Sequence, residues 1–224
     1  DRILVTTFTH NLALDLEHLY DGFYEFPGRE LELYHVTEKM LVQVHADTQS
    51  FPESPAGQRS YFSGDINTMF VNATARGWYG ATAHEVAHQI VHNTAVRTRK
   101  GRGAIPAWVD EGLAEYFRAS LQGKAGHKRV EQGWKDMGSF LLFSRESDPY
   151  GLKRVLNFGT GDFFASTGQQ LKYAQSYALV MFLLEGDNGR WREPFLDFLR
   201  GAYEGRASST DFEDAIGVRI KELE

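Results

Sequence analysis

The chain has 224 residues, of which 42% are hydrophobic, enough to bury one substantial core or one core with a smaller lobe. Its formal charge of −6 is spread through a mixture of acidic and basic residues, which argues against a nucleic-acid partner. Cysteine is absent, so thiol catalysis, disulfide scaffolds and cysteine-bound zinc are excluded, and the longest apolar run, about Tyr177 to Leu184, falls far short of the roughly 17 to 25 residues of a membrane helix.

The sequence begins at Asp1 without a methionine and is read as a processed or trimmed product; its compartment stays open, with secretion or the cell envelope preferred to the cytoplasm. Ile3 to Phe8 alternates weakly and predicts a strand. A helix follows from about Leu12 to Tyr24, where Leu12, Leu16, Leu19 and Phe23 recur at helical spacing. Phe26-Pro27-Gly28-Arg29 reads as a turn. Met40 to His45 predicts another strand, ending before a loop over Ser50 to Gly57 that carries Pro52 and Pro55, and a further strand is expected over Ile66 to Val71. His10, His18, His35 and His45 are scattered through these elements without ligand spacing and are read as ordinary surface or half-buried residues.

Next comes His84-Glu85-Val86-Ala87-His88, with no proline to interrupt a helix across residues 80 to 92. On a helix, residues four apart lie one turn apart on the same face, so both imidazoles can converge on one ion while Glu85 leans toward its open side. This is the HExxH pattern of zinc sites. Two other readings account for the same residues: Thr82 and Glu85 as a helix capping box, with Gly77 or Gly80 an equally good helix start, and His84 with His88 as a hydrogen-bonded core pair.

Beyond this helix, Arg97, Arg99, Lys100 and Arg102 form a basic cluster in an acidic protein, read as a solvated loop or as a rim for an acidic substrate group. Pro106 then opens a second helix, since proline loses nothing in a first helical turn. There Glu111 and Glu115 again share a face. Catalytic zinc usually takes three protein ligands plus water. The metzincin extension is missing, because Val91 and Thr94 stand where its glycine and histidine would be, and His92 reads as a rim residue. The remaining candidate is a carboxylate on the following helix: Glu111, 23 residues after His88, with Glu115 one turn on and placed to bond the free nitrogen of a ligating histidine. The alternative is a solvated face shared by Glu111, Glu115 and Arg118.

His84-Glu85-x-x-His88 followed by Trp108-x-x-Glu111-Gly112-Leu113-Ala114-Glu115-Tyr116 resembles the gluzincin zinc metallopeptidases, the group that includes thermolysin-like and aminopeptidase-like enzymes. The resemblance implies one zinc ion held by His84, His88 and Glu111, with Glu115 in the place of the carboxylate that bonds a ligating histidine. Asp110 departs from the W-x-N-E-G segment of the aminopeptidase branch. That branch also carries a tyrosine that stabilises the oxyanion, in a Y-x-x-G-x-A-L segment; the resemblance assigns the role to Tyr173 in Tyr173-Ala174-Gln175-Ser176-Tyr177-Ala178-Leu179, with Tyr177 in reserve and both also readable as core aromatics. The run from Tyr173 to Leu184, then Phe195-Leu196-Asp197-Phe198-Leu199 and a closing Phe212-Glu213-Asp214-Ala215-Ile216-Gly217, also resembles the small bacterial peptidase MA-like domains. By the same resemblance, an extended peptide would pair with the sheet edge at Ile66 to Val71, with Asn72 and Ala73 contacting substrate. The G-x-M-E-N segment of the aminopeptidases is absent, which argues against amino-terminal trimming.

The expected architecture is α+β and zincin-like: a small mixed sheet with the site helix packed on it, then a mostly helical second half, because strands cluster before residue 72 and helices after. Residues 1–224 are read as one catalytic domain, with an α/β sub-lobe over 1–95 and a helical sub-lobe over 96–224; glycine-rich joints at 123–126 and 159–161 are read as loops between helices. The expected activity is that of a zinc metallopeptidase, with Glu85 as general base toward a zinc-bound water and a peptide or protein as substrate. The alternatives are a catalytically silent zincin-fold binding domain and a zinc hydrolase of a non-peptide substrate. Oligomeric state is left open by the sequence.

Overall fold

The structure, a computed structural model, describes residues 2–25, 29, 39–47, 49–52, 60–75, 77–98, 105–121, 149–165 and 168–223. It opens with helix α1 (Arg2–Phe23), followed by strands β1 (Leu41–His45), β2 (Ser60–Ser63) and β3 (Thr68–Asn72). The rest of the described chain is helical: α2 (Trp78–Thr98), α3 (Ala107–Leu121), α4 (Leu152–Leu156), α5 (Thr160–Phe164), α6 (Gln169–Glu185), a 3₁₀ turn at Asp187–Gly189, α7 (Arg192–Tyr203), α8 (Ser209–Ile216) and α9 (Ile220–Leu223). The class is α+β, as expected. Among the described residues no helix is long and apolar enough to cross a membrane.

The strands form a mixed sheet in the order β1-β3-β2, with β3 parallel to β1 and antiparallel to β2. Two expectations are corrected here. Residues 2–23 are one helix, so Ile3 to Phe8 is not a strand. Its β-branched residues lose at most about 0.7 kcal/mol each in a helix relative to alanine, whereas extending an existing helix adds a hydrogen bond for each residue fixed. The strand expected over Ile66 to Val71 is β3, and it is the middle strand rather than an edge. Ile66 lies in the β2–β3 turn, which Asn67 closes at φ +48°. β2 was not anticipated. The predicted turn at 26–28, loop residues 53–57, His35, Arg99, Lys100, Arg102 and the joint at 123–126 lie outside the described residues, as do the side chains of His10 and Arg97. The joint at 159–161 is only partly a loop, since Gly159 precedes α5 and Gly161 lies inside it.

Helix α2 begins after Gly77, whose φ of +79° turns the chain in a way a side chain would resist. One face of α2 lies on the sheet, where a polar network fixes its position. Gln89 accepts from Tyr20 of α1 and donates to Leu41 O at 3.2 Å, and Asn93 donates to Gln89 O at 2.7 Å and to Asn67 at 2.9 Å. Thr82 lies in the second turn, donates to Trp78 O and meets Ser60, so the capping-box reading with Glu85 does not hold.

Among the described residues a buried apolar cluster extends from Leu19 to Ile220. Fully buried Phe23 meets Phe117 edge-on at 5.2 Å, tying α1 to α3. Trp108, at the start of α3, stacks on Phe198 of α7 at 5.9 Å and meets Phe212 of α8 edge-on at 5.8 Å. The C-terminal helices thus form the floor on which the first turn of α3 rests, three residues before Glu111.

Candidate metal centre

Helices α2 and α3 pack side by side and bring three side chains to one point. His84 Nε2 and His88 Nε2 are 3.0 Å apart, and Glu111 Oε2 lies 3.1 Å from the first and 3.4 Å from the second. Three ligands of a tetrahedral zinc ion, each bound at roughly 2.0–2.1 Å, stand about 3.3–3.4 Å from one another. The observed triangle is close to that size. Among the described residues this is the grouping of three that could hold a metal ion. The donor chemistry fits as well: Glu111 Oε2 is buried and receives no well-directed hydrogen bond, so it and two imidazole nitrogens face a common point.

The outer nitrogens of both rings face carboxylates. His84 Nδ1 lies 3.0 Å from Glu115 Oε1, a close ion-pair contact rather than a well-directed hydrogen bond, and Glu115 is in turn paired with Arg118. His88 Nδ1 lies 3.2 Å from Asp110 Oδ1. A carboxylate at Nδ1 favours the tautomer protonated there, which leaves the Nε2 lone pair free for a cation.

The electrostatics agree. Burial works against a charged His84, but the Glu111 and Glu115 carboxylates outweigh it and lift its pKa to about 9; His88 is raised in the same way by Asp110 and Glu111. Burial works against ionised Glu111 as well, yet His88 and His84 hold its carboxyl well below the usual range. Glu115 is also lowered, by His84 and Arg118 against its burial. Buried carboxylates on this scale require positive charge close by, which protons on the rings or a divalent cation can provide.

Glu85, on the same turn as His84, is buried and lines the cleft; burial raises its pKa, while the nearby histidines and the Phe62 N–H bonded to its Oε2 at 2.9 Å pull the other way. Tyr173 of α6 also lines the cleft. Its ring centroid is 6.4 Å from that of His84, and its hydroxyl reaches the Glu111 carboxylate. Tyr177 is buried in the core, so of the two tyrosines Tyr173 faces the site. The contact that sets this choice is at Gly112, where a Cβ would come within 2.7 Å of Ser176 O and of Val180 Cγ2. Only glycine lets α3 and α6 approach so closely.

The cleft has a volume of about 380 Å³. Its sheet-side wall is β2, through Tyr61 and Phe62, with Gly64 in the turn that follows, and not β3. The expectation for Asn72 and Ala73 is therefore corrected: neither lines the cleft, and the buried Asn72 carboxamide accepts from the backbone and hydroxyl of Thr74. Strand β3, which ends at Asn72, sits between two others and has no free edge for a peptide. His92 lines the cleft as a rim residue, with its ring against Phe62 at 5.3 Å, and stands outside the ligand triangle. The sequence reading missed Asp110 and the Phe62 amide. A signal for Asp110 was present, in the carboxylate that replaces the asparagine of the W-x-N-E-G pattern.

Residues 80–205, more than half of the chain, match the family described as protein of unknown function DUF1570. The chain belongs to the DUF1570 family. No curated protein and no solved structure matches this DUF1570 chain. The matched span of the DUF1570 family contains His84, Glu85, His88, Asp110, Glu111, Glu115 and Tyr173, and leaves out α1 and the sheet.

Proposed function

We propose that this chain is a zinc-dependent metallopeptidase that hydrolyses peptide bonds. The observation that carries the reading is the triangle of His84 Nε2, His88 Nε2 and Glu111 Oε2, sized for one tetrahedral ion, with the carboxylate of Glu85 lining the same cleft. Zinc held there supplies a Lewis acid that lowers the pKa of water from about 15.7 toward roughly 7.

The protein's own groups account for the remaining steps. Glu85, held by the Phe62 N–H and made more basic by burial, takes a proton from the attacking water and passes it to the leaving amine. Asp110 and Glu115 keep the two rings in the tautomer that presents Nε2 to the ion. Burial of Tyr173, followed by the charge of Glu111, keeps its hydroxyl protonated, so it serves as a donor to the oxyanion that forms at the substrate carbonyl.

The test combines elemental analysis of the purified protein with hydrolysis of a casein-type mixture, with and without a chelator, for the wild type and Glu85→Gln. The expected result is about one zinc per chain in both proteins and chelator-sensitive cleavage by the wild type alone. Zinc without cleavage of any peptide would refute the peptidase assignment, and cleavage that survives both the chelator and Glu85→Gln would refute the mechanism.

A further inference from the structure

Phe164 departs from the burial pattern of the helical half. It is a large aromatic side chain with 44% of its surface exposed, and it lines the cleft. Its neighbour Phe163 is fully buried and meets the Tyr173 ring edge-on at 5.3 Å. These two consecutive residues of α5, their rings edge-on at 5.4 Å, thus differ in place: one is buried against the tyrosine and the other is exposed beside the site. A five-residue helix has no stability of its own, so something must fix it in place.

That role falls to Lys172, next to Tyr173 on α6. Its side chain is buried, and its ammonium group donates to the carbonyl oxygens of Asp162 and, at 3.5 Å, of Ala165. The same ammonium lies 5.5 Å from the centre of the Phe158 ring. A helix ends with carbonyls that lack partners within the helix, and Lys172 supplies donors at the end of α5. A buried ammonium is costly unless its hydrogen bonds are made, so the pairing holds lysine and helix to one arrangement. From the sheet, Tyr61 and Phe62 line the same cleft, and Ile105 adds a further apolar surface.

We propose that Phe164, fixed by Lys172, is the specificity-determining wall of this cleft and selects substrates with a bulky aromatic or branched apolar group beside the bond that is cleaved. The inference rests on the hydrolase reading above. Covering an exposed ring with a substrate ring removes apolar surface of both from water, and aromatic pairs gain further from edge-on or offset contact. Lys172 acts as a positioning residue: it does not touch the substrate but sets where Phe164 stands.

The experiment uses two hydroxamic acids that carry the same zinc-binding group, acetohydroxamate and 3-phenylpropanohydroxamate. Each is titrated calorimetrically into the zinc-loaded wild type, Phe164→Ala and Lys172→Met. The quantity read is the ratio of the two affinities within each protein. In the wild type the phenyl tail is expected to tighten binding by roughly 10- to 100-fold. That gain should fall by about 3- to 10-fold in each variant.

An undiminished gain in Phe164→Ala overturns the inference and leaves the metal centre standing. A gain lost in Phe164→Ala but kept in Lys172→Met overturns the role of the lysine. Acetohydroxamate that fails to bind the zinc-loaded wild type overturns the metal reading and this inference with it. Phe164 is half-exposed, so its variant decides the question even if Lys172→Met fails to fold.

Discussion

Replacing Gly112 by alanine tests the helix contact on which the site geometry depends. A Cβ at this position meets Ser176 O and Val180 Cγ2 at 2.7 Å and the Ser176 carbonyl carbon at 3.0 Å. Two effects oppose each other. Alanine favours a helix over glycine by about 0.8–1.0 kcal/mol, while overpacking costs about 1–3 kcal/mol. Because the obstacle includes backbone of α6, which cannot swing aside as a side chain can, the upper end of that cost applies. The net destabilisation is then about 2 kcal/mol, or roughly 4–8 °C in Tm for a protein of this size. Gly161→Ala is the control, since a Cβ there meets nothing within 4 Å; it should raise stability by about 0.4–1 kcal/mol. Thermal unfolding of the three proteins, followed by circular dichroism, makes the comparison. A Gly112→Ala protein as stable as the wild type would refute the close approach of α3 to α6, and with it the explanation of why Tyr173 faces the site.

Four further outcomes are expected. Glu85→Gln should retain zinc and lose roughly 10²- to 10⁴-fold in turnover, measured by peptide hydrolysis beside metal content. Tyr173→Phe should also retain zinc while turnover falls by about 10²- to 10³-fold; an unchanged rate would remove the hydroxyl from the reaction. Asp110→Ala and Glu115→Ala should each weaken zinc affinity by about 10- to 100-fold in a chelator competition, and no change in either would show that the ring orientations do not depend on these carboxylates. Stripping the metal should lower Tm, because an ion present at about 1,000 times its Kd stabilises the fold by about 4 kcal/mol; a Tm indifferent to chelator would mean that no ion is bound to the folded state.

The parts of the site carried by local spacing were legible in the sequence. His84 with His88, and Glu111 with Glu115, are pairs four residues apart on uninterrupted helices, and the helix alone determines that each pair shares a face. What depends on packing was not legible. Tyr173 and Tyr177 lie four apart on one face of α6, so which of them reaches the cleft is decided by how far along its axis α6 is set against α3, a level fixed where Ser176 and Val180 meet Gly112. Asp110 stood out in the sequence as a carboxylate in place of the asparagine of W-x-N-E-G, but that it reaches His88 depends on how closely α3 lies alongside α2. Strand β2 has only four residues, too few for an alternating pattern to stand out, so the wall of the cleft was assigned to β3 and to Asn72 and Ala73. The first helix was misread in part because Ile3, Val5 and the nearby threonines favour strands locally, a weak preference that helix extension overrides.

Diffraction data collected at the zinc absorption edge from crystals of the zinc-loaded protein address the metal centre without reference to any substrate. The account predicts a single anomalous peak between α2 and α3, within about 2.0–2.2 Å of His84 Nε2, His88 Nε2 and an oxygen of Glu111. A peak elsewhere on the molecule, or none at that triangle with Glu111 turned away from the two rings, would contradict it.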